Sequence, residues 1–281
     1  MSNLPDPESI LPEKQIVFFS PHFDDMLFCM GGFVDFLKTS GAFHDRRFHV
    51  HLLFSRSNYQ ARDDEGNRRT DRARVQFASG VRLIEDQDCL DELLGHDNYV
   101  YQLHGYQECF TRGKPFADSE MEFPHGMFED FDDADRAIYQ RLQRLIGDHL
   151  PLEDSALVFP IAIKEHIDHF ILREAAIRAV ADAPITPAAT IYFIEDKPYG
   201  GIANDDEMNR MQAFIAQHNL EPRPFPYRAD AIIEPAFRHY VSQVEDVYRK
   251  GVQNRARTLG QRYFPHHGEA DCLYYLPTRK P

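Results

Sequence analysis

Apolar and polar positions follow two rhythms along this chain. Ile16-Val17-Phe18-Phe19 with Ser20 is a short apolar run, as expected of a strand buried on both faces. Met26, Met30, Phe33 and Leu37 follow at spacings of four, three and four, which line one face of a helix. Phe48 to Phe54 reads as a second strand. Arg69 to Ala78 reads as a helix closing near Gly80, and Val81-Arg82-Leu83-Ile84 as a third strand. Asp132 to His149 predicts a helix rising from an acidic turn, as the positive end of the helix dipole favours. Ala156 to Ile161 is a further buried strand, followed by a helix from about Ile167 to Ala183. Thr190 to Ile194 and Ala231 to Ile233 are the later strand candidates. Short buried strands alternating with helices predict an α/β fold, with a mostly parallel sheet covered on both faces.

The segment from His104 to Phe131 breaks this rhythm. It is irregular and carries Tyr106, Phe110, Phe116, Phe123, Phe128 and Phe131. Its length fits a lid that could stack on a ligand, and fits a packed insertion equally well. Residues 1–14 read as a polar tail. No linker, repeat or low-complexity tract divides the 281 residues, so one elaborated domain over 1–281 is expected rather than two.

Composition narrows the partners. Lys and Arg number 31 and Asp and Glu 45, a formal charge of −14, which argues against nonspecific binding to nucleic acid or to an anionic membrane. No stretch approaches the ~20 apolar residues of a membrane span, and the N-terminus lacks the apolar core of a signal peptide. Cys29, Cys89, Cys109 and Cys272 form no CxxC pair. Scattered thiols without an export signal suggest a reducing cytoplasm. An oligomer remains compatible with all of this.

Candidate chemistry gathers at two strand ends. Pro21-His22-Phe23-Asp24-Asp25 follows the first strand and opens the first helix, and Gly31-Gly32 next allows close helix packing. In open α/β sheets this carboxyl end is where ligands bind. Alone the cluster is weak, because Asp at a helix start is ordinarily a cap. His166-Ile167-Asp168-His169 stands in the equivalent place after the strand Ala156 to Ile161, with its histidines three apart. If the two strands are neighbours, the clusters face one another across a crevice. Together they offer imidazoles and carboxylates, and two histidines with one carboxylate are a usual set for catalytic zinc. A spare carboxylate can act as base, and a spare histidine can stabilise an oxyanion or protonate a leaving group.

These residues resemble the PIG-L/LmbE-like deacetylase family, with its PHxDD motif after the first strand and HxDH motif after a central one. Softer similarity runs through Arg68-Arg69-Thr70-Asp71 to Gly80-Val81, through Glu195-Asp196-Lys197-Pro198-Tyr199, and through Tyr240-Val241-Ser242-Gln243. It covers roughly residues 15 to 250. The resemblance implies a Rossmann-like three-layer sandwich with the active site at the carboxyl ends of the strands. It also implies hydrolysis of the N-acetyl amide of an N-acetylglucosamine-type amino sugar or conjugate, usually with Zn2+, although Fe2+ is an open alternative. By the same resemblance His22, Asp25 and His169 would bind the metal and Asp24 would be the general base. His166 would stabilise the oxyanion or protonate the departing amine, and Asp168 would orient a histidine. Arg68 would hold substrate. Three positions depart from the pattern. Met26 stands where Glu is common, Phe23 replaces Pro, and Lys164 replaces a tyrosine that assists the oxyanion in some members. Lys164 could supply positive charge to the substrate or point to solvent.

Other classes remain open at this level. His22-Phe23-Asp24 with a distant histidine also fits the ligand pattern of non-haem iron oxygenases, which usually sit on an all-β scaffold. A binding or regulatory protein could keep the fold without the activity. A hydrolase of another amide, such as one from antibiotic biosynthesis, could use the same centre. His49 and His51 share one face of a strand, and His266-His267 lie in a turn.

Overall fold

The computed structural model describes residues 5–115 and 130–278. The segment expected as a polar tail contains a short helix, α1 (Pro7–Ile10), capped by Asp6, and buries Ile10 and Leu11 against the core. The elements then run β1 (Gln15–Ser20), a π-helical turn (Met26–Met30), α2 (Gly31–Ser40), β2 (Arg47–Leu52), α3 (Asp64–Asn67), α4 (Arg72–Leu94) and β3 (Tyr99–Leu103). After them come α5 (Asp133–His149), β4 (Ser155–Pro160), α6 (Ile167–Ala181), β5 (Thr190–Ile194) and α7 (Asp205–Gln217). The chain closes with β6 (Glu221–Pro226), α8 (Asp230–His239), α9 (Asp246–Tyr263) and β7 (Ala270–Leu276).

The strands form one sheet of seven in the order β3-β2-β1-β4-β5-β7-β6. The first five are parallel, and β7 pairs antiparallel with both β5 and β6. Alternate residues of β1 serve two cores. Ile16 and Phe18 face a layer built on α2, α4, α8 and α9, while Val17 and Phe19 face one built on α5, α6 and α7. This is the three-layer α/β sandwich that the alternating pattern predicts. The chain leaves β1 toward β2 on one side, and β4 lies on the other. The carboxyl ends of β1 and β4 therefore flank the switch point at which doubly wound sheets open a crevice.

Two expected strands are helical. Val81 to Ile84 lies inside α4, whose buried residues Arg74, Ala78, Arg82, Glu85, Cys89 and Leu93 recur every three or four positions. Four residues are too few to distinguish periods of 2 and 3.6, and Gly80 is tolerated mid-helix. Ala231 to Ile233 lies in α8, where Ile232, Ile233 and Ala236 form one buried face. Conversely, β6 reads Glu-Pro-Arg-Pro-Phe-Pro. Its prolines lie at alternate positions of an edge strand, so every missing N–H faces away from β7.

The sheet face beside α5 carries a histidine cluster. His51 Nδ1 and His104 Nε2 lie 2.9 Å apart and share one hydrogen, His51 stacks on Phe19, and His149 meets His51 edge-on. Burial, followed by neighbouring His149, His104 and His49, pushes His51 down to about 3 from 6.5. The folded chain thus keeps His51 neutral at pH values where the unfolded chain protonates it. The unfolded state then binds more protons, and stability falls as pH drops below about 6.5. The His51→Phe variant, which keeps the stacked ring, should gain on the wild type as melting is moved from pH 7.5 to pH 5. An unchanged gap between the two melting temperatures would contradict this.

Of the aromatic segment, Phe131 packs edge-on against Tyr139 and Phe170, and Tyr106 and Phe110 border the same core, so these three are packing residues. Phe116, Phe123 and Phe128 lie outside the described residues. Among the described residues no helix is long and apolar enough to cross a membrane.

Candidate functional site

β1 and β4 are hydrogen-bonded neighbours, which brings the two polar clusters together. Pro21 ends the first strand, and the next residues turn sharply. Asp25 Oδ2 accepts the His22 backbone N–H at 2.8 Å, and Ser20 Oγ donates to the His22 carbonyl at 2.8 Å, so the turn fixes His22. The π-helical turn and α2 then leave into the core through Gly31 and Gly32. A Cβ at Gly32 would stand 2.9 Å from the Tyr227 ring, the close packing expected of that pair.

After β4 the backbone is strained. Ala162, Lys164 and Glu165 have φ of 60°, 62° and 53°, a region costing non-glycine residues on the order of 1–3 kcal/mol each. Asp196 Oδ2 accepts the Ile163 N–H at 2.8 Å, Lys164 pairs with Glu207 at 2.9 Å, and Glu165 with Arg210 at 2.9 Å. These ties hold the loop in place, and His166 caps α6.

Three donor atoms converge across the crevice. His22 Nδ1 and His169 Nε2 are 3.2 Å apart, and Asp25 Oδ2 lies 3.4 Å from the first and 3.3 Å from the second. Ligands 2.0–2.1 Å from a tetrahedral zinc stand about 3.3–3.4 Å from one another, so the triangle has the edge length of such a centre. Each imidazole is backed by a carboxylate on its other nitrogen. His22 Nε2 meets Asp168 Oδ2 at 3.0 Å, and His169 Nδ1 meets Asp196 Oδ1 at 2.6 Å. Carboxylates so placed fix the tautomer and strengthen the imidazole as a ligand. All five residues are buried. Burial disfavours an imidazolium at His22, yet Asp168 and Asp25 outweigh it and raise the group to about 9. His169 is likewise raised against burial by Asp25 and Asp196, and Asp25 is lowered against burial by His169 and His22. Without a metal ion the carboxylates hold protons on these rings, so a divalent cation would displace protons as it binds.

Two other groupings can be weighed against this triangle. His22, His166 and His169 have ligand atoms within 4.8 Å of one another, as do Cys109, His166 and Asp168. His166 Nδ1 accepts the Asp168 backbone N–H at 3.2 Å, which puts the ring's own hydrogen on Nε2. A ring so arranged is a donor on its Nε2 side rather than a ligand. Asp168 Oδ1 already lies 2.7 Å from Nη2 of Arg112, whose side chain is buried, and this close positive charge disfavours a cation there. The set His22, Asp25 and His169 therefore fits a divalent metal best.

Asp24 is outside the triangle, adjacent to Asp25 in the chain. Burial and then the Asp25 charge raise it to about 6, against the lowering influence of Arg82, whose Nη2 lies 3.8 Å away. His166 is lowered by burial and then by His22, so its imidazole is neutral at pH 7. Met26 is buried in the core and Phe23 packs under the Arg82 guanidinium. Lys164, with its ammonium on Glu207, is neither bare positive charge nor a side chain lost to solvent. Arg68 is exposed, at the C-terminal end of α3.

Sequence reasoning missed two residues of this centre. Asp196 lies within Glu195 to Tyr199, a stretch whose resemblance implies no role for it. Its position at the carboxyl end of β5, the parallel neighbour of β4, is the signal that could have found it. Arg82 lies in Val81 to Ile84, which sequence alone reads as a strand.

No protein-family model matches the chain, and no curated protein matches its sequence. Solved structures do match. The chain is similar to the A40926 pseudoaglycone deacetylase Dbv21 at 18% identity, over 96% of this chain and 99% of that one, with a TM-score of 0.60. It is similar to the zinc-inhibited form of teicoplanin deacetylase Orf2 at 17% identity, over 93% and 97%, with a TM-score of 0.59. It is also similar to the N,N'-diacetylchitobiose deacetylase of Pyrococcus horikoshii at 16% identity, over 99% and 88%, with a TM-score of 0.52. At these identities the likeness is one of fold.

Proposed function

We propose that this chain is a zinc-dependent N-deacetylase that removes the acetyl group from an N-acetylglucosamine-type amino sugar or its conjugate. The observation that carries the reading is the triangle of His22 Nδ1, Asp25 Oδ2 and His169 Nε2, with a spare carboxylate and a neutral histidine beside it. The resemblance of the two motifs supports it, as do structural neighbours that deacetylate A40926 pseudoaglycone, teicoplanin and diacetylchitobiose. A mostly parallel α/β sheet also speaks against the iron oxygenase, and so does the ligand order, since Asp25 rather than Asp24 completes the triangle.

In this reading His22, Asp25 and His169 hold the ion, with Asp168 and Asp196 orienting the two imidazoles. When bound, zinc polarises the acetamide carbonyl and acidifies water. Asp24 takes the proton from the attacking water. His166 donates its Nε2–H to the oxygen that gains charge as the carbonyl becomes tetrahedral. A neutral imidazole is a poor acid, so Asp24 rather than His166 passes the proton to the sugar nitrogen as the C–N bond breaks and acetate leaves. Arg68 is the proposed contact to the rest of the substrate. Lys164 would contribute by holding its loop through Glu207.

The test is release of acetate and free amine, in equal amounts, from a panel of acceptors. The panel holds free N-acetylglucosamine, diacetylchitobiose, thiol-precursor glycosides, nucleotide sugars, glycolipids and glycopeptide or aminoglycoside precursors. Zinc is supplied at one equivalent, because a neighbour has a zinc-inhibited form. Turnover abolished by a chelator and restored by zinc is the expected result. Silence of the metal-loaded protein across the panel would overturn the proposal.

A further inference from the structure

Arg82 is a buried cation beside Asp24 that neither motif contains. It projects from the middle of α4 and its side chain is 5% exposed. Its Nε donates to Gln243 Oε1 at 2.6 Å, and its Nη1 to Ser57 Oγ at 2.7 Å and to Glu108 Oε2 at 3.2 Å. Glu108 is itself fixed, accepting from Ser57 Oγ at 2.7 Å and the Asn58 N–H at 3.0 Å. The guanidinium lies over the rings of Phe23 and Tyr59, with its carbon 5.2 and 5.8 Å from their centroids. Four chain segments thus clamp one planar group, and its remaining nitrogen, Nη2, is turned to Asp24 Oδ1 at 3.8 Å.

Burying an arginine this completely is costly unless its partners are fixed and charged. Glu108 and two neutral acceptors take three of its five N–H donors, and Nη2 is the nitrogen they leave over. Half-buried Asp24 sits in a tight turn beside buried Asp25, and two adjacent carboxylates shielded from water repel one another. A fixed cation on the far side of Asp24 sets where that carboxylate rests.

We propose that Arg82 is a positioning residue for Asp24, holding its carboxylate where it can reach the proton it must take. This rests on the deacetylase reading for its kinetic arm only. Arg82→Gln alone leaves Glu108 uncompensated and can fail to fold, so the decisive variant is Arg82→Gln with Glu108→Gln, which preserves charge balance around Ser57. Its crystal structure should show the Asp24 side chain moved from its wild-type position, with the His22, Asp25 and His169 triangle unchanged. Its kcat should fall on the order of 10²-fold, as displacement of a reacting group by about 1 Å does, with KM nearly unchanged and one zinc still bound. Arg82→Lys should recover part of that loss. In an Asp24→Asn background the same pair of substitutions should cost little more, whereas a purely structural role would lower activity in both backgrounds alike. Asp24 unmoved in the variant, or wild-type kcat, overturns the proposal. If the wild-type protein deacetylates nothing, the functional reading falls and the crystallographic arm still decides the role of Arg82.

Discussion

The Asp24→Asn variant is expected to fold, bind zinc as the wild type does, and lose about 10²–10⁴-fold in kcat, the usual contribution of a placed general base. Asparagine keeps the shape and removes only the ability to take a proton. The substitution should not weaken the metal-free fold. Burial and Asp25 both penalise the Asp24 charge, since they raise the group from 3.8 to about 6. At pH 7.5 the ionised carboxylate is therefore a strain on the folded state, and removing it should leave the melting temperature equal or higher. A group that costs stability and supplies activity is characteristic of a functional site. Wild-type turnover in Asp24→Asn would show that another group is the base. Loss of zinc would show that Asp24, not Asp25, completes the ligand set.

Arg112→Met is expected to be the most destabilising single substitution near the site. The Arg112 side chain is 1% exposed, and its Nη2 lies 2.9 Å from Asp135 Oδ1 and 2.7 Å from Asp168 Oδ1. Asp135 keeps a second cation, since Lys114 Nζ lies 2.5 Å from its other oxygen. Asp168 has no second Lys or Arg among the described residues, and its charge is otherwise opposed by His22, His166 and the Cys109 N–H at 2.9 Å. Removing one partner of a buried pair costs about 3–5 kcal/mol, because the other charge stays buried. For a chain of this size that is a fall in melting temperature of roughly 10 °C. Arg112→Met combined with Asp168→Asn should recover much of the loss, since no charge is then stranded, while zinc affinity should remain impaired because Asp168 backs His22. Thermal melting of the two variants checks this, and equal stability of the single variant and wild type would contradict it.

What could be read from sequence followed physical scale. β1, β4, α5 and α6 are long or strongly apolar, and both motifs sit where a strand hands over to a helix, so Pro21 to Asp25 and His166 to His169 could be placed before any coordinates. Elements held mainly by tertiary context were not legible. α4 runs on past Gly80 because its buried face carries Arg74, Arg82, Glu85 and Asp86, charged residues that hydropathy assigns to the surface. β6 is interrupted by prolines that only an edge position permits. The partner of His169 was hidden for a similar reason. Asp196 in Glu195-Asp196-Lys197-Pro198-Tyr199 looks like surface charge, yet Glu195 is locked to Arg255, Lys197 to Asp271 at 2.7 Å, and all three are buried. Pairing between residues 27 or more apart in sequence turns apparent surface charge into core structure, and no local pattern records it.

A metal centre on His22, Asp25 and His169 is the claim on which the rest depends, and anomalous diffraction at the zinc edge tests it most directly. Crystals equilibrated with one equivalent of zinc should give one strong peak, about 2.0–2.2 Å from His22 Nδ1, Asp25 Oδ2 and His169 Nε2. A peak held instead by Cys109, His166 and Asp168, or none within reach of the triangle, would contradict the account.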